Sequence, residues 1–227
     1  MVSPTQKSRV RRSSTKRTSF TNELQRITNP SIQRLARVAG VKSMESGVYE
    51  EVRDQIKSFL DQTLKRAFEY KGHKRETTLD VEAVKIGLPT KINDAGGLKA
   101  RRCEVKSPKK RTSKSRKRRL KPGEKADKEM KFYRKNFIEC LHLSMAGFKS
   151  LVREMGKNYN VKGNNRYTSD SIILLQYATE SYVITLLNAG QAVAAHCGRI
   201  VLRAADISAA RKVAEILTKN TKNKRTS

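Results

Sequence analysis

Two helical patterns of 25 and 29 residues run through this chain, and each is too long and too apolar to bury its own faces. In residues 47–71, Val48, Val52, Ile56, Phe59, Leu60, Leu64, Ala67 and Phe68 recur at spacings of three and four, the signature of an amphipathic helix. In residues 169–197, Ile172, Leu175, Ala178, Tyr182, Leu186, Ala189 and Val193 do the same. Ile173, Leu174, Val183 and Leu187 make that second stretch apolar on further sides, which predicts a helix covered from several directions. About 27 helical residues extend roughly 40 Å.

Each long pattern has the same neighbours. Before the first lies a short helical pattern with Asn29 as expected N-cap, Pro30 at N1, Ile32, Leu35 and Ala36 on one face, and a stop at Gly40. After it come polar residues 71–78 and a short helix bearing Leu79, Val81, Val84 and Ile86. Before the second long pattern lies a helix over 148–159 with Leu151, Val152 and Met155 on one face, then a loop at 161–168. Residues 198–202 follow it, and then a short helix with Ile207, Ala210, Val213 and Ile216. One short–long–short unit cannot cover its long helix, whereas two units crossing their long helices can, so the core is expected between the halves. The expected class is all-α, with two such units clasped within one chain.

Charge locates the segments that stay outside that core. The 227 residues carry 50 Lys+Arg against 21 Asp+Glu, a net charge of +29. Residues 1–27 hold 7 basic and 1 acidic side chains, 99–121 hold 13 and 1, and 218–227 hold 4 and 0, so these 60 positions carry +22. Such Ser/Thr/Lys/Arg-rich stretches cannot bury a core, and the charge calls for a polyanion. The expected organisation is a basic tail over 1–24, a folded unit over 25–87, a basic linker over 88–122, a second unit with a preceding helix at Glu124–Asn136 over 123–217, and a basic tail over 218–227. As a flexible coil the linker reaches roughly 30–35 Å. It makes pairing of the halves intramolecular, at an effective concentration on the order of mM. The run 109–119 reads equally as a nuclear-import signal or as a DNA-binding linker.

Several function classes drop out. Cys103, Cys140 and Cys197 are solitary, which argues against a zinc site and against a secreted disulfide framework. No apolar run approaches the roughly 18 residues a bilayer needs, and no signal-peptide pattern opens the chain, so an intracellular protein is expected. A Gly-rich phosphate loop, paired carboxylates and Ser/His/Asp spacing are all missing, and only His73, His142 and His196 are present. The expectation is a non-enzyme with no metal or cofactor. A structural RNA-binding protein and a transcription subunit remain as alternatives, although 6% aromatic content and no RNP-type motif disfavour stacking on single strands.

The stretch Ile27-Thr28-Asn29-Pro30-Ser31-Ile32-Gln33-Arg34-Leu35-Ala36-Arg37 resembles the first helix of histone four, and Gly40-Val41-Lys42 and Gly47-Val48-Tyr49-Glu50-Glu51-Val52-Arg53 continue the resemblance. His73-Lys74-Arg75 and Thr77-Thr78-Leu79-Asp80-Val81 resemble its second loop and last helix with a few residues deleted. Phe148-Lys149-Ser150-Leu151-Val152-Arg153-Glu154-Met155, Arg166-Tyr167-Thr168-Ser169, His196-Cys197-Gly198-Arg199-Ile200 and Asp206-Ile207-Ser208-Ala209-Ala210-Arg211-Lys212 are similar to histone three. The arrangement resembles the fused histone pairs of large DNA viruses of the Marseillevirus group.

That resemblance implies two histone folds in a handshake, wrapping double-stranded DNA into nucleosome-like particles, in the virion and in the host nucleus or viral factory. Residues 42–46 would lie beside 199–202, and 166–169 beside 74–78. The two first-helix N-termini would add a third phosphate site. Arg166 matches the family's groove-inserting arginine, and Arg34, Arg37, Lys42, Lys74, Arg75, Arg153 and Arg199 match other DNA-facing positions. His196, Arg199, Asp206 and Ala209 fall where a second copy would pair, with a His–Asp contact between copies. A partner of the histone two-A/two-B type is implied, and Tyr70 matches one contact to it while Ala83 replaces another. Ser43, Gln33, Ser150 and Gly198 stand where the family has basic residues, so the tails and linker should matter more for affinity.

Overall fold

The computed structural model describes residues 24–89, 123–136, 141–159 and 166–223. Residues 1–23, most of the linker with the run 109–119, and residues 160–165 lie outside these, as do Cys103, Cys140 and residues 224–227. In the first half, α1 (Asn29–Ala39), β1 (Ser43–Met44), α2 (Gly47–Lys74), β2 (Thr78–Leu79) and α3 (Val81–Gly87) follow one another. In the second come α4 (Glu124–Asn136), α5 (Met145–Gly156), β3 (Arg166–Tyr167), α6 (Ser169–His196), β4 (Val201–Leu202) and α7 (Ala204–Asn223). The described residues are all-α apart from these two-residue strands.

Local chemistry sets the helix ends. Asn29 is not the N-cap of α1. Thr28 takes the extended flanking position, and the Asn29 side-chain oxygen accepts instead from the Arg53 guanidinium of α2. Arg53 also donates to the Ile27 carbonyl at 3.0 Å, so a side chain of the long helix sets the entry to α1. Gly40, at φ 96°, closes α1 with the Gly40 N–H on Arg37 O and the Val41 N–H on Ala36 O, a Schellman motif. The fifth helix starts at Met145, three residues earlier than its apolar pattern, because Ser144 is extended, and it ends at Gly156. On α6 the Thr168 hydroxyl caps the Ser171 N–H. Helix α7 continues to Asn223, through Lys/Asn/Thr sequence that contains no Gly or Pro.

The core lies between the halves. Helix α1 packs on α6, α5 packs on α2, α3 reaches α6 and α7 reaches α2. Ile32, Leu35, Val52, Ile56 and Leu60 of the first half therefore share one buried cluster with Leu151, Met155, Leu175, Val183 and Leu187 of the second. Phe59 and Tyr182 stack at 4.5 Å and 13° where the long helices meet. The last helices sit close to their own long helices. A Cβ on Gly87 would lie 2.5 Å from the Thr63 carbonyl, so α3 rests on α2 without space for a side chain there. Leu79, read from its spacing as part of α3, belongs to β2 and is fully buried.

A buried polar joint fastens the α4–α5 connector onto α6. The Glu180 carboxylate accepts from the His142 N–H at 3.0 and 2.9 Å, from the Leu143 N–H at 2.9 Å and from Gln176 Nε2 at 3.1 Å. Gln176 Nε2 also donates to Leu143 O, and Arg34 of α1 donates to His142 O. Burial pushes the Glu180 carboxyl up to about 7 against those bonds. Burial, helped by Arg34, pushes the His142 imidazole down to about 4. Tyr133 of α4 meets the His142 ring edge-on at 5.6 Å.

Candidate nucleic-acid interface

The handshake brings the first loop of each half beside the second loop of the other, in the pairs the resemblance implied. Thr78 pairs with Arg166 and Leu79 with Tyr167, in parallel, and Ser43 pairs with Val201 and Met44 with Leu202. Side chains alternate along a strand, so the inward positions Leu79 and Leu202 are fully buried and the outward ones form a rim. One rim thus presents Thr78 and Arg166, and the other presents Ser43 and Val201.

At the β2–β3 rim the cations face outward. Arg166 is exposed, and no ion pair or side-chain hydrogen bond ties it to another described residue. Arg75 is exposed in the left-handed region at φ 54°, where it ends α2 through its N–H on the Gly72 and Lys71 carbonyls. Lys74 Nζ meets Glu82 at 2.8 Å and lies 5.1 Å from the Tyr70 ring centroid, and the hydrogen bond to Glu82 raises its pKa. Behind the rim, Phe68 packs edge-on against Tyr167 and stacks with Tyr159. Burial lifts the Tyr167 hydroxyl to about 12.

At the β1–β4 rim the expected cations are held within the protein. Lys42 Nζ lies 3.0 Å from Asp127 of α4. Arg37 donates to Glu129 of α4 at 3.0 Å and to the carbonyls of Val41 and Lys42 at 2.7 and 2.6 Å. Arg199 makes a two-point pair with Asp206 at 3.0 and 2.7 Å, and Asp206 also accepts the Arg203 N–H. Arg199 holds the Asp206 carboxyl below its usual range. Ile200, 70% exposed, and Val201 leave this rim more apolar than the other.

The two first-helix N-termini lie together. A Cβ on Gly147 in the first turn of α5 would lie 3.3 Å from the Arg26 carbonyl, just before α1. Arg26 reaches Ser150 Oγ at 2.6 Å. Neither Thr28 nor Ser144 places a side-chain cap on its helix; on α1 Pro30 has no N–H and the Ser31 N–H is taken by the Thr28 carbonyl, so it is the first turn of α5 that keeps N–H groups open to an anion. Arg153 is exposed on α5, whereas Arg34 donates to Ser31 Oγ and His142 O and sits at the joint between the halves.

The residues expected at a self-association face divide. His196 is exposed at the end of α6 and Ala209 is half-buried on α7. Asp206 is buried and paired within the chain with Arg199. Val213 and Ile216, which share the apolar spacing of Ile207, are 55% and 58% exposed. At about 100° per residue they stand roughly 240° and 180° around the helix from buried Ile207. With Ala209 they form an outward apolar strip at i, i+4 and i+7. Sequence reasoning also misses the acids on α4 and the Gln176–Glu180 joint. An i, i+4 polar pair inside an otherwise apolar helix is the visible signal of that joint. On the first half Ala83 is buried, and Tyr70 is engaged with Glu82 and Lys74.

Compared with known families, residues 122–213 match the model of the core histone domain, the one shared by histones two-A, two-B, three and four. This stretch is a histone-fold domain. The histone fold therefore takes in α4, α5, α6 and the first part of α7, and it carries Arg153, Arg166, Arg199 and Asp206. Histone-fold proteins are structural rather than catalytic, bind DNA and pair with other histone folds. In this molecule the surface offered to the histone fold of 122–213 is the first half of the same chain. Among the described residues no helix is long and apolar enough to cross a membrane.

Proposed function

We propose that this chain packages double-stranded DNA as two histone folds in one chain, the first histone-four-like and the second histone-three-like. The observation that carries this reading is the reciprocal loop pairing, β1 with β4 and β2 with β3, which gives one body two loop rims. Backbone N–H groups and basic side chains at those sites suit phosphate, so the duplex is held without reading sequence, and affinity falls steeply with salt. Arg166 enters the minor groove, with Arg75, Arg153 and Lys74 on the backbone beside it. Arg34, Arg37 and Arg199 act from within the protein by shaping these sites.

A second copy joins at the end of α6 and along α7, through His196 and the strip Ala209, Val213 and Ile216. A histone two-A/two-B-type pair completes a nucleosome-like particle by analogy with the family. The protein works with DNA in a virion and in the host nucleus or viral factory, a reading supported by the resemblance to fused viral histones. Nuclease digestion of duplex DNA reconstituted with this chain, with and without such a second pair, tests the reading. Protected fragments of regular length are expected. Unprotected DNA, or preference for RNA or for one promoter sequence, would contradict it.

A further inference from the structure

Helix α4 lies along the turn that leads into the β1–β4 rim. Arg134 Nε donates to the Val38 carbonyl at 3.0 Å, and the Arg134 guanidinium stands over Gly40, where a Cβ would meet it at 2.5 Å. From that position α4 aims two acids at the turn. Asp127 Oδ1 lies 3.0 Å from Lys42 Nζ, and Glu129 Oε2 lies 3.0 Å from Arg37 Nε. A carboxylate accepting from an ammonium or guanidinium offers the same single negative charge as a backbone phosphate and, like it, a pair of acceptor oxygens. The β2–β3 rim serves as an internal control, since no described acid pairs with Arg166 or Arg75.

We propose that α4 carries a competitor for DNA, with Asp127 holding the Lys42 ammonium in the place of a phosphate and Glu129 tying the adjacent Arg37 to the same helix. The proposal rests on the DNA-binding reading above. Duplex DNA engages the unpaired Arg75/Arg166 rim first, and Lys42 engages only as phosphate displaces Asp127. Arg37 keeps its two carbonyl partners throughout, so Lys42 is the cation that changes hands. The Lys42–Asp127 pair is about half exposed on both sides, and an exposed pair is worth at most ~fivefold in an equilibrium, so the latch yields to a polyanion without unfolding.

The test is a cycle of four full-length proteins: wild type, K42A, D127N/E129Q and the triple variant. Each is titrated with a short random-sequence duplex over a salt series. Lys42→Ala should cost less than about twofold in the wild type and about fivefold in the D127N/E129Q background. The salt slope of D127N/E129Q should steepen by about 0.9, one further phosphate contact. A general gain from removing two negative charges would appear equally in both arms and cancel in the cycle. Equal costs of Lys42→Ala in the two backgrounds would overturn the proposal. Absence of duplex binding by all four would overturn the DNA reading itself, and this proposal with it. Should D127N/E129Q lose helicity, D127N alone replaces it, because Asp127 is half exposed and the same inequality applies.

Discussion

The two rims of this molecule are built on one plan and differ in what occupies them. Each is a two-residue parallel pair with a buried inner position and an exposed outer one. At β2–β3 the outer residues are Thr78 and Arg166, the flanking Arg75 points to solvent, and an aromatic cluster of Phe68, Tyr159 and Tyr167 backs the site. At β1–β4 the outer residues are Ser43 and Val201, the flanking cations are paired with Asp127, Glu129 and Asp206, and a titratable joint at Glu180 holds the connector leading out of α4. The same loop pairing thus gives one rim whose Arg75 and Arg166 are unpaired among the described residues while Lys74 is held by Glu82, and one whose Lys42, Arg37 and Arg199 are all held by acids, with Arg203 exposed beside them. A shared backbone plan therefore does not fix binding strength, because the residues on neighbouring helices decide which cations are available.

The largest expected effect concerns the joint that holds the connector leading out of α4, the helix that supplies acids to the second rim. Glu180 has a folded-state value of about 7, above its ordinary 4.5, so its neutral form is favoured by folding. Its contribution to stability is fully present below pH 4.5 and is lost as pH rises through 7, roughly 3 kcal/mol for a shift of that size. His142 works the other way. Its folded value of about 4 lies below 6.5, so its contribution is present above pH 6.5 and is lost as pH falls toward 4. In the wild type the two largely cancel between pH 4.5 and 6.5. Glu180→Gln should remove one of them and expose the other, giving a protein that loses stability on acidification more steeply than wild type. His142→Asn should do the reverse. Denaturant titrations from pH 4 to 8 check both, and parallel profiles for all three proteins would break the assignment.

Next in size is the open rim. Arg75→Ala with Arg166→Ala should lower duplex affinity by about thirtyfold and flatten the salt slope by roughly 1.8, while Ser43→Ala leaves both unchanged. Equal losses from the two rims would erase the contrast between them. Ser43→Arg restores at the second rim the residue type that the first one carries, and a gain of up to about fivefold is expected in the same titration. The smallest effect separates backbone from charge at Arg75. A left-handed arginine costs on the order of 1 kcal/mol, and glycine relieves that while gaining comparable freedom when unfolded. Arg75→Gly should therefore change stability by less than ~1 kcal/mol but weaken DNA binding several-fold.

How far the sequence carries toward this picture depends on the range of the interaction. The spacing of Val48, Val52, Ile56 and Leu60 and the many-sided apolarity around Leu175 and Val183 mark the long helices and their need for mutual cover, because burial acts on every turn. Gly40 marks a helix end for a local steric reason. The rims themselves are reached through family resemblance rather than pattern, since two-residue strands leave no periodicity to read. What stays hidden is set by neighbours distant in the chain. Asn29 loses its capping role to Arg53, Asp127 and Glu129 find Lys42 and Arg37 across about 85–92 positions, and Val213 and Ile216 share the spacing of Ile207 but not its face.

Two paired rims on one body require that the halves join through crossed long helices. Introducing a single protease site within residues 99–121, cutting it, and sizing the product without DNA at high salt tests this most directly. The two fragments should migrate together at the size of the uncut chain, with Phe59 and Tyr182 still protected and helicity unchanged. Fragments that separate while each keeps its helices would contradict the account.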